Sequence, residues 1–314
     1  MRTQALLLVN PRSGDGSPGA DEVAAAARKL GVETHLLEKG EDPAEVARAA
    51  GAGILGMAGG DGSLAAVAQV AIDTDAAFVC VPLGTRNHFA RDVGLDRDDP
   101  LAALAAFRDD AAERRIDVGR VAAADRLFVN NLSLGVYARL VHRRERHRRR
   151  GEALARLKAL VAVARQRHAL HATVNGEPLR ARVIFVGNNR YDLALFTVGE
   201  RARLDAGELD LWTASGWLPT AWDERTGRSF EIETGGRVRA ALDGEPLLLD
   251  TPVVVESLPR ALRLRLPSEG GAMHDNPRAT EDEQEQAQTD RQNEEESMRY
   301  PSEGQPDPPD DAEE

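Results

Sequence analysis

Gly53-Ile54-Leu55-Gly56-Met57-Ala58-Gly59-Gly60-Asp61-Gly62-Ser63-Leu64-Ala65-Ala66-Val67-Ala68 is the stretch whose reading organises the rest of the chain. An apolar run ends in three glycines, one carboxylate and one hydroxyl, and then gives way to a helix-forming run. That is a strand, a tight turn and a helix start. Glycine at such a turn permits positive φ and lets a ligand come close to the amides. A helix N-terminus presents unpaired N–H groups and a partial positive charge, so an anion such as phosphate is the expected guest. An ordinary strand-to-helix connection would need the same glycines for geometry alone.

The segments on either side repeat the same alternation. Ala5-Leu6-Leu7-Leu8-Val9 reads as a first strand, followed by the loop Asn10-Pro11-Arg12-Ser13-Gly14. Asp21 and Glu22 open an Ala-rich helix that Gly31 stops at the C′ position. Val32 to Leu37 is a second strand, and Asp42-Pro43 starts a helix with Asp as N-cap and Pro at its first position. After the Gly-Gly-Asp-Gly turn, Phe78-Val79-Cys80-Val81-Pro82 is another strand, and it leads into a second glycine loop, Leu83-Gly84-Thr85-Arg86-Asn87. Asp99-Pro100 begins a further helix through Phe107. Strands alternating with helices predict an open, mostly parallel α/β sheet. Ligands of such sheets bind beyond the carboxyl ends of the strands, where all three loops emerge.

From about Arg115 the pattern changes to period two. Arg115 to Val121, Leu170 to Val174, Ala181 to Val186, Ser229 to Glu233 and Arg237 to Leu242 alternate polar and apolar residues. Half-buried antiparallel strands follow, with Asn175-Gly176 as a hairpin turn. A helix from His142 to His168 interrupts them, with the basic run Arg143 to Arg150 at its start. Such a run fits anionic headgroups or is simply a solvated helix face. Without interleaved aromatics, nucleic acid is not the partner it suggests. The expected organisation is an α/β domain over 1–122, a β-rich domain over 123–267 and a disordered acidic tail over 268–314.

The net charge of −12 comes from that tail, which holds 16 of the 52 acidic residues and only three Arg, so the remainder carries 36 acidic and 37 basic residues. A tail rich in Glu, Gln, Asp and Pro cannot bury enough surface to offset the ordering of its backbone. No run approaches the roughly 18 apolar residues needed to span a bilayer, and the short N-terminal run lacks the form of a signal peptide. The single cysteine, Cys80, lies in an apolar run and excludes an internal disulfide. The compartment expected is the cytoplasm, with peripheral contact at the inner membrane face and a homodimer compatible with everything above.

Phosphoryl transfer needs contacts that hold a polyphosphate, a metal that spreads its charge and a base for the acceptor's proton. The loops share no Walker-A pattern, and no Gly-x-Gly-x-x-Gly follows the first strand, which argues against a dinucleotide site. Three segments in order carry a resemblance: Asn10-Pro11-Arg12-Ser13-Gly14, Gly59-Gly60-Asp61-Gly62-Ser63 and Pro82-Leu83-Gly84-Thr85-Arg86-Asn87-His88-Phe89-Ala90. Three more follow: Asn131-Leu132-Ser133-Leu134-Gly135, Asp205-Ala206-Gly207-Glu208-Leu209-Asp210 and Asp243-Gly244-Glu245. Together they resemble the diacylglycerol kinase catalytic domain and the bacterial lipid kinase family.

The resemblance implies an α/β nucleotide-binding domain followed by a β-sandwich-like domain, with ATP and Mg²⁺ as cofactors and a lipid hydroxyl at a membrane surface as acceptor. By position, Asn10, Pro11, Arg12, Ser13, Gly14, Gly59, Gly60, Asp61, Gly62, Ser63, Leu64, Ala65, Thr85 and Asn87 are the residues implied to touch ATP. Asp61 is implied as the metal-side carboxylate, acting directly or through water. Glu245 is implied as general base, with Asp243 beside it; read alone, Asp243-Gly244-Glu245 is a plain hairpin turn.

The chain also departs from the family. Ser63 replaces Thr and keeps the hydroxyl. Arg86 and His88 stand where Gly and Asp are usual, and Ala206 stands where an Asp helps to hold a structural metal, so that metal site is not carried over. The segment from Thr213 to Arg228, with Trp217, Pro219 and Trp222, is short for an acceptor pocket. Two other readings stay open: a catalytically impaired nucleotide-binding regulatory protein, and a NAD kinase-like enzyme sharing only the Gly-Gly-Asp-Gly turn.

Overall fold

The strands at Ala5–Val9, Ile54–Gly59 and Ala77–Pro82 are buried on both faces, as a parallel sheet covered by helices requires, while the edge strand at Glu33–Leu36 is only half-buried. In the computed structural model β1 (Ala5–Val9), α1 (Ala20–Lys29), β2 (Glu33–Leu36), α2 (Pro43–Ala50), β3 (Ile54–Gly59), α3 (Asp61–Asp73) and β4 (Ala77–Pro82) follow one another. Two short helices, α4 (His88–Asp92) and α5 (Pro100–Ala103), come next. Residues 4–13, 18–84, 87–135, 169–191, 193–194, 197–198, 201, 203–214 and 222–268 are described here. The basic run, the helix expected over 142–168 and the tail beyond 268 lie outside them.

Local chemistry sets the element ends. Asp42 accepts the Ala44 amide at the start of α2, Pro43 sits at its first position, and Gly51 closes it in the left-handed conformation. Acidic residues occupy the first turn of α1 and basic ones its last, each favourable with the helix dipole. Alternate residues of β1, β3 and β4 enter two different cores. Leu6, Leu8, Leu55, Met57, Phe78 and Cys80 pack with residues of α3, such as Leu64, Val67 and Ala68. Leu7, Val9, Ile54, Val79 and Val81 pack with Val23, Ala24 and Ala27 of α1.

The second half supplies β5 (Ala112–Val121), β6 (Arg126–Phe128), β7 (Asn131–Gly135), β8 (Leu170–Val174), β9 (Glu177–Ala181) and β10 (Val183–Asn188). It continues through β11 (Leu193–Ala194), β12 (Thr197–Val198), β13 (Leu209–Ala214) and β14 (Trp222–Gly227). The last four strands are β15 (Ser229–Glu233), β16 (Val238–Leu242), β17 (Glu245–Leu249) and β18 (Val253–Leu266). One sheet runs β2-β1-β3-β4-β18-β15-β8-β9, with β5 paired to β18 and to β6. Its first four strands and the β4–β18 pairing are parallel, while β18 meets β5 and β15 antiparallel. A second, wholly antiparallel sheet has the order β14-β13-β10-β7-β16-β17.

Residues from both sheets fill a third core, with Val174, Phe230, Ile232 and Val255 against Leu132, Leu134, Ile184, Leu211 and Ala240. This is the sandwich-like layer expected from the sequence. The expected α/β sheet, however, is not closed by N-terminal strands alone. β18 belongs to it, entering one core with Leu262 and Leu264 and another with Val253 and Val255. Its register with β5 shifts between Leu258 and Leu262, around Arg260 at φ 52. The boundary expected at residue 122 falls in the short 3-10 turn Ala122–Ala124 that leads from β5 to β6.

Both dipeptide turns behave as their sequences dictate. Asn175 and Gly176 take φ 51 and 81, and Asp243 and Gly244 take φ 46 and 84, the mirror-image turn that suits strand twist. The first joins β8 to β9, pairing Val174 with Glu177, and the chain then crosses at Arg182 into β10 of the other sheet.

Candidate functional site

Within the parallel sheet, β2 lies on one side of β1 and β3 on the other, so the connections reverse direction between β1 and β3. A crevice at the carboxyl ends of these strands is where an open α/β sheet receives ligands. The loop after β1 and the turn after β3 flank it. Asn10 bridges them: its side-chain amide donates to Ser63 Oγ at 3.4 Å and its Oδ1 accepts the Arg12 amide at 3.1 Å. Arg12 is exposed and donates to the Glu38 carbonyl at 3.1 Å. Pro11 is exposed beside it, and Gly14 lies outside the described residues.

Gly60 is the N-cap of α3 and offers no side chain to cap it. A Cβ at Gly60 would meet nothing within 4 Å, so open space borders the N-cap of this thirteen-residue helix. The positive φ expected of this turn is not found: Gly60 has φ −88, and neither Gly59 nor Gly62 is left-handed. The glycines serve close approach instead. A Cβ on Gly59 would lie 2.9 Å from Met57 Cε and 3.3 Å from Ser63 Cβ. One on Gly62 would collide with the Glu245 carboxylate and lie 2.6 Å from its Cγ. Leu64 is fully buried in the core beneath α3 and Ala65 nearly so, which leaves only their backbones near the crevice.

The second glycine loop closes on itself and on the first. Asn87, buried at φ 35, donates to the Gly84 carbonyl at 2.6 Å and accepts the Gly84 amide at 3.0 Å, so both ends of its side chain are taken up. A Cβ on Gly84 would lie 2.8 Å from Gly60 Cα, which packs the two loops backbone to backbone. Thr85 and Arg86 are outside the described residues. Asp61 reaches across to α4, accepting the His88 and Phe89 amides at 3.3 Å each. Burial raises its pKa, opposed by the His88 charge and these two amides.

The Asp243-Gly244-Glu245 triplet is the tight turn between β16 and β17, with Leu242 paired to Glu245. Its two carboxylates have different surroundings. The Asp243 carboxylate turns inward, accepting the amides of Val129 at 2.8 Å, Asn130 at 2.8 Å and Asn131 at 2.9 Å. Burial pushes it up to about 7, with those amides pulling down and Asp61 adding to the rise. Glu245 is 54% exposed and lies against Gly62, with Arg126 Nη2 3.7 Å from its Oε2. A carboxylate at the start of α3 is well placed on the helix dipole.

Beneath these groups lies a cluster that the sequence did not reveal. Arg201 is fully buried and donates to Asp92 at 2.7 Å, to the Val129 and Asn188 carbonyls at 2.6 and 3.0 Å, and to Asn130 Oδ1 at 3.1 Å. Its guanidinium lies 5.2 Å from the Tyr191 ring centroid, and the Tyr191 hydroxyl donates to the Asn130 carbonyl at 3.1 Å. Burial opposes the Arg201 charge, and the charges around it more than offset that, raising its pKa. The motif singled out at Asn131 to Gly135 is strand β7, and it is the preceding Asn130 whose side chain enters the cluster. A run of Asn130-Asn131 ahead of alternating apolar residues was the available signal; nothing local marked Arg201.

Two metal questions have different answers. Among the described residues no three His, Cys, Asp or Glu side chains gather to hold an ion. Asp61 is a single carboxylate that already accepts backbone amides, which fits a partner of metal-bound water beside a polyphosphate better than a dedicated cage. The Asp205-Ala206 turn does not fit a structural metal. Asp205 pairs with Arg203 at 3.0 Å and Arg260 at 3.9 Å, while Asn189 and Asp117 side chains accept the Ala206 and Gly207 amides. Among the described residues no helix is long and apolar enough to cross a membrane.

Residues 4–121 match the model of the diacylglycerol kinase catalytic domain. Over 88% of its length the chain is 28% identical to 99% of a probable lipid kinase YegS-like protein of Pseudomonas aeruginosa. It is also 28% identical to a probable lipid kinase YegS of Salmonella agona, covering 84% of this chain and 96% of that one. A crystal structure of a diacylglycerol kinase from Bacillus anthracis shares the fold, with a TM-score of 0.63 at 19% identity over 86% of this chain and 98% of that one. The resemblance carried by the six motifs therefore holds: residues 4–121 match a diacylglycerol kinase catalytic domain, and most of the chain is similar to bacterial proteins named probable lipid kinases.

Proposed function

We propose that this protein is an ATP-dependent lipid kinase that transfers the γ-phosphate of ATP to a hydroxyl of diacylglycerol or a related lipid at a membrane surface. The observation that carries this is the contact of Glu245 with Gly62, which brings a half-exposed carboxylate to the N-terminus of α3, whose N-cap is a glycine. A hydroxyl attacking a phosphate held at that terminus would have a proton acceptor within reach.

In this reading the amides of Asp61, Gly62 and Ser63 bind phosphate oxygens, and Asn10 fixes Ser63 and the loop after β1 at the same crevice. Bound Mg²⁺ supplies charge neutralisation on the phosphates. Asp61 orients the water around it, Glu245 accepts the proton of the lipid hydroxyl, and Asp243 fixes the turn that carries Glu245. Asp243 is a positioning group because both of its oxygens are occupied by main-chain amides.

The test is transfer of label from γ-labelled ATP, with Mg²⁺, to vesicles presenting diacylglycerol and a panel of other hydroxyl-bearing lipids. A labelled phospholipid is the expected product. Labelled NAD in its place would move the chain to the NAD kinase-like reading. Tight nucleotide binding by folded protein with no acceptor labelled would point to the regulatory one.

A further inference from the structure

We propose that Arg126 is a further catalytic residue, a cation held beside Glu245 that turns to the transferring phosphoryl group when ATP is bound. Its root is fixed while its head is exposed. Arg126 opens β6 and pairs with Val121 of β5. The next residue, Leu127, is buried in one core with Leu64 and Val67 of α3. Phe128 enters the core between the two sheets, its ring filling the space left by Gly119. Alternate residues of a strand share a face, so Arg126 rises on the Phe128 side, toward the sheet that carries Glu245. There its Nη2 lies 3.7 Å from Glu245 Oε2, with the two side chains 56% and 54% exposed. The Glu245 carboxylate in turn lies against Gly62, in the first turn of α3. One carboxylate thus stands between the guanidinium and the helix terminus where the kinase reading seats the phosphates.

An ion pair this exposed holds weakly, because water screens it and two long side chains lose freedom in making it. A phosphoryl group offers more charge and a pair of oxygens that match the guanidinium fork. Two other described arginines near the site are engaged elsewhere. Arg201 is buried against Asp92 and main-chain carbonyls, and Arg12 donates to the Glu38 carbonyl. The reaction itself favours the exchange. Glu245 takes the proton of the lipid hydroxyl as that oxygen bonds to the γ-phosphorus and the bond to the ADP oxygen breaks, the electron pair leaving with ADP. On accepting the proton Glu245 loses its charge, and with it its hold on Arg126, just as negative charge spreads over the oxygens in transfer. Arg126 therefore binds the transition state better than the ground state, which is the condition for a gain in rate.

This inference rests on the kinase reading, and the experiment separates the two. Thermal unfolding, MgATP and MgADP affinity by calorimetry, and kcat for labelling of diacylglycerol vesicles are compared for wild type, Arg126→Ala and Arg126→Lys. The melting temperature should hold in both variants, since the side chain is exposed. In Arg126→Ala kcat should fall by about 10² to 10³, the range of one lost transition-state donor. Its MgATP affinity should fall about tenfold with MgADP affinity unchanged, because only ATP carries the γ-phosphoryl group. Guanidinium ion, added well below denaturing concentrations, should restore part of kcat. Arg126→Lys keeps the charge without the fork and should fall between the two; should Arg126→Ala fail to fold, it decides. Calorimetry is repeated in a Glu245→Gln background, where the ion pair is gone. Arg126→Ala should still weaken MgATP there, and no loss would mean that Arg126 acts only through Glu245 and would overturn the inference. So would a folded Arg126→Ala with wild-type kcat, or one that loses MgATP and MgADP equally, and both leave the kinase reading intact. Wild type that labels no lipid overturns the kinase reading itself, and the role of Arg126 with it.

Discussion

At the start of α3 the groups nearest the crevice are backbone amides, since Gly60 at the N-cap has no side chain to bond them. Much later in the chain, at the Asp243 carboxylate and around Arg201, the same site is made of side chains closed over one another. The first region can bind without rearranging, since helix amides keep their direction whatever is bound. The second cannot be altered one group at a time, since each carboxylate or amide there satisfies another. Changes near the glycine turn should therefore alter chemistry while sparing the fold, and changes in the buried region should do the reverse.

The largest expected effect tests the open region. Glu245→Gln keeps shape and removes the base, so turnover should fall by about 10² to 10⁴ with MgATP affinity retained. Unchanged turnover in calorimetrically normal protein removes Glu245 from that role. Next comes Gly62→Ala, whose new Cβ would displace the Glu245 side chain. Because Glu245 is half exposed it can swing away, and Ala is a better helix former by up to about 1 kcal/mol, so the melting temperature should hold. Turnover should drop about a hundredfold, approaching that of the Glu245 variant. A melting temperature that collapses instead would mean that the two regions are not separable in this way.

Asp243→Asn probes the closed region with a residue that tolerates the left-handed turn. One of the three main-chain amides loses its acceptor, a cost of about 1–2 kcal/mol read by denaturant unfolding at pH 7. The pH dependence has a definite sign. The folded carboxyl titrates near 7 and the unfolded one near 4, so across that window the folded state holds more protons. Its contribution to stability is fully present below the unfolded value, is lost as pH rises toward about 7, and is constant beyond. The variant should lack that slope, and an unchanged slope would show that another group causes it. The smallest effect is expected of Asn10→Ala, which loses a long bond to Ser63 and a turn bond to Arg12, about 0.5–1 kcal/mol, with KM for ATP a few-fold higher.

The same contrast explains what the sequence disclosed. Caps and tight turns are local, so Asp42-Pro43, Gly31, Asn175-Gly176 and Asp243-Gly244 could be placed from neighbouring residues. The strand, turn and helix start around Gly59 to Ser63 were legible too, although the reason given for the glycines was incomplete: they accommodate Glu245, Met57 and Ser63 rather than a left-handed backbone. Contacts between Gly62 and Glu245, or between Asn130 and Arg201, join residues far apart in the chain, and no spacing rule encodes them. Asn131 was singled out in place of Asn130 because motif matching fixes a stretch, while one step along an extended chain decides which side chain turns toward the site.

Strand β18 has a consequence for how the protein is made. It supplies residues 253–266, and until they leave the ribosome the hydrogen-bonding edge of β4 has no partner. An open edge of apolar parallel strand is an aggregation hazard, and pairings so distant in sequence form slowly. A fragment ending at residue 121 would contain every glycine of the two glycine loops and still present that bare edge. The parallel-sheet half should therefore fold only once β18 has been made, and trimming into β18 should yield insoluble protein rather than a smaller folded unit.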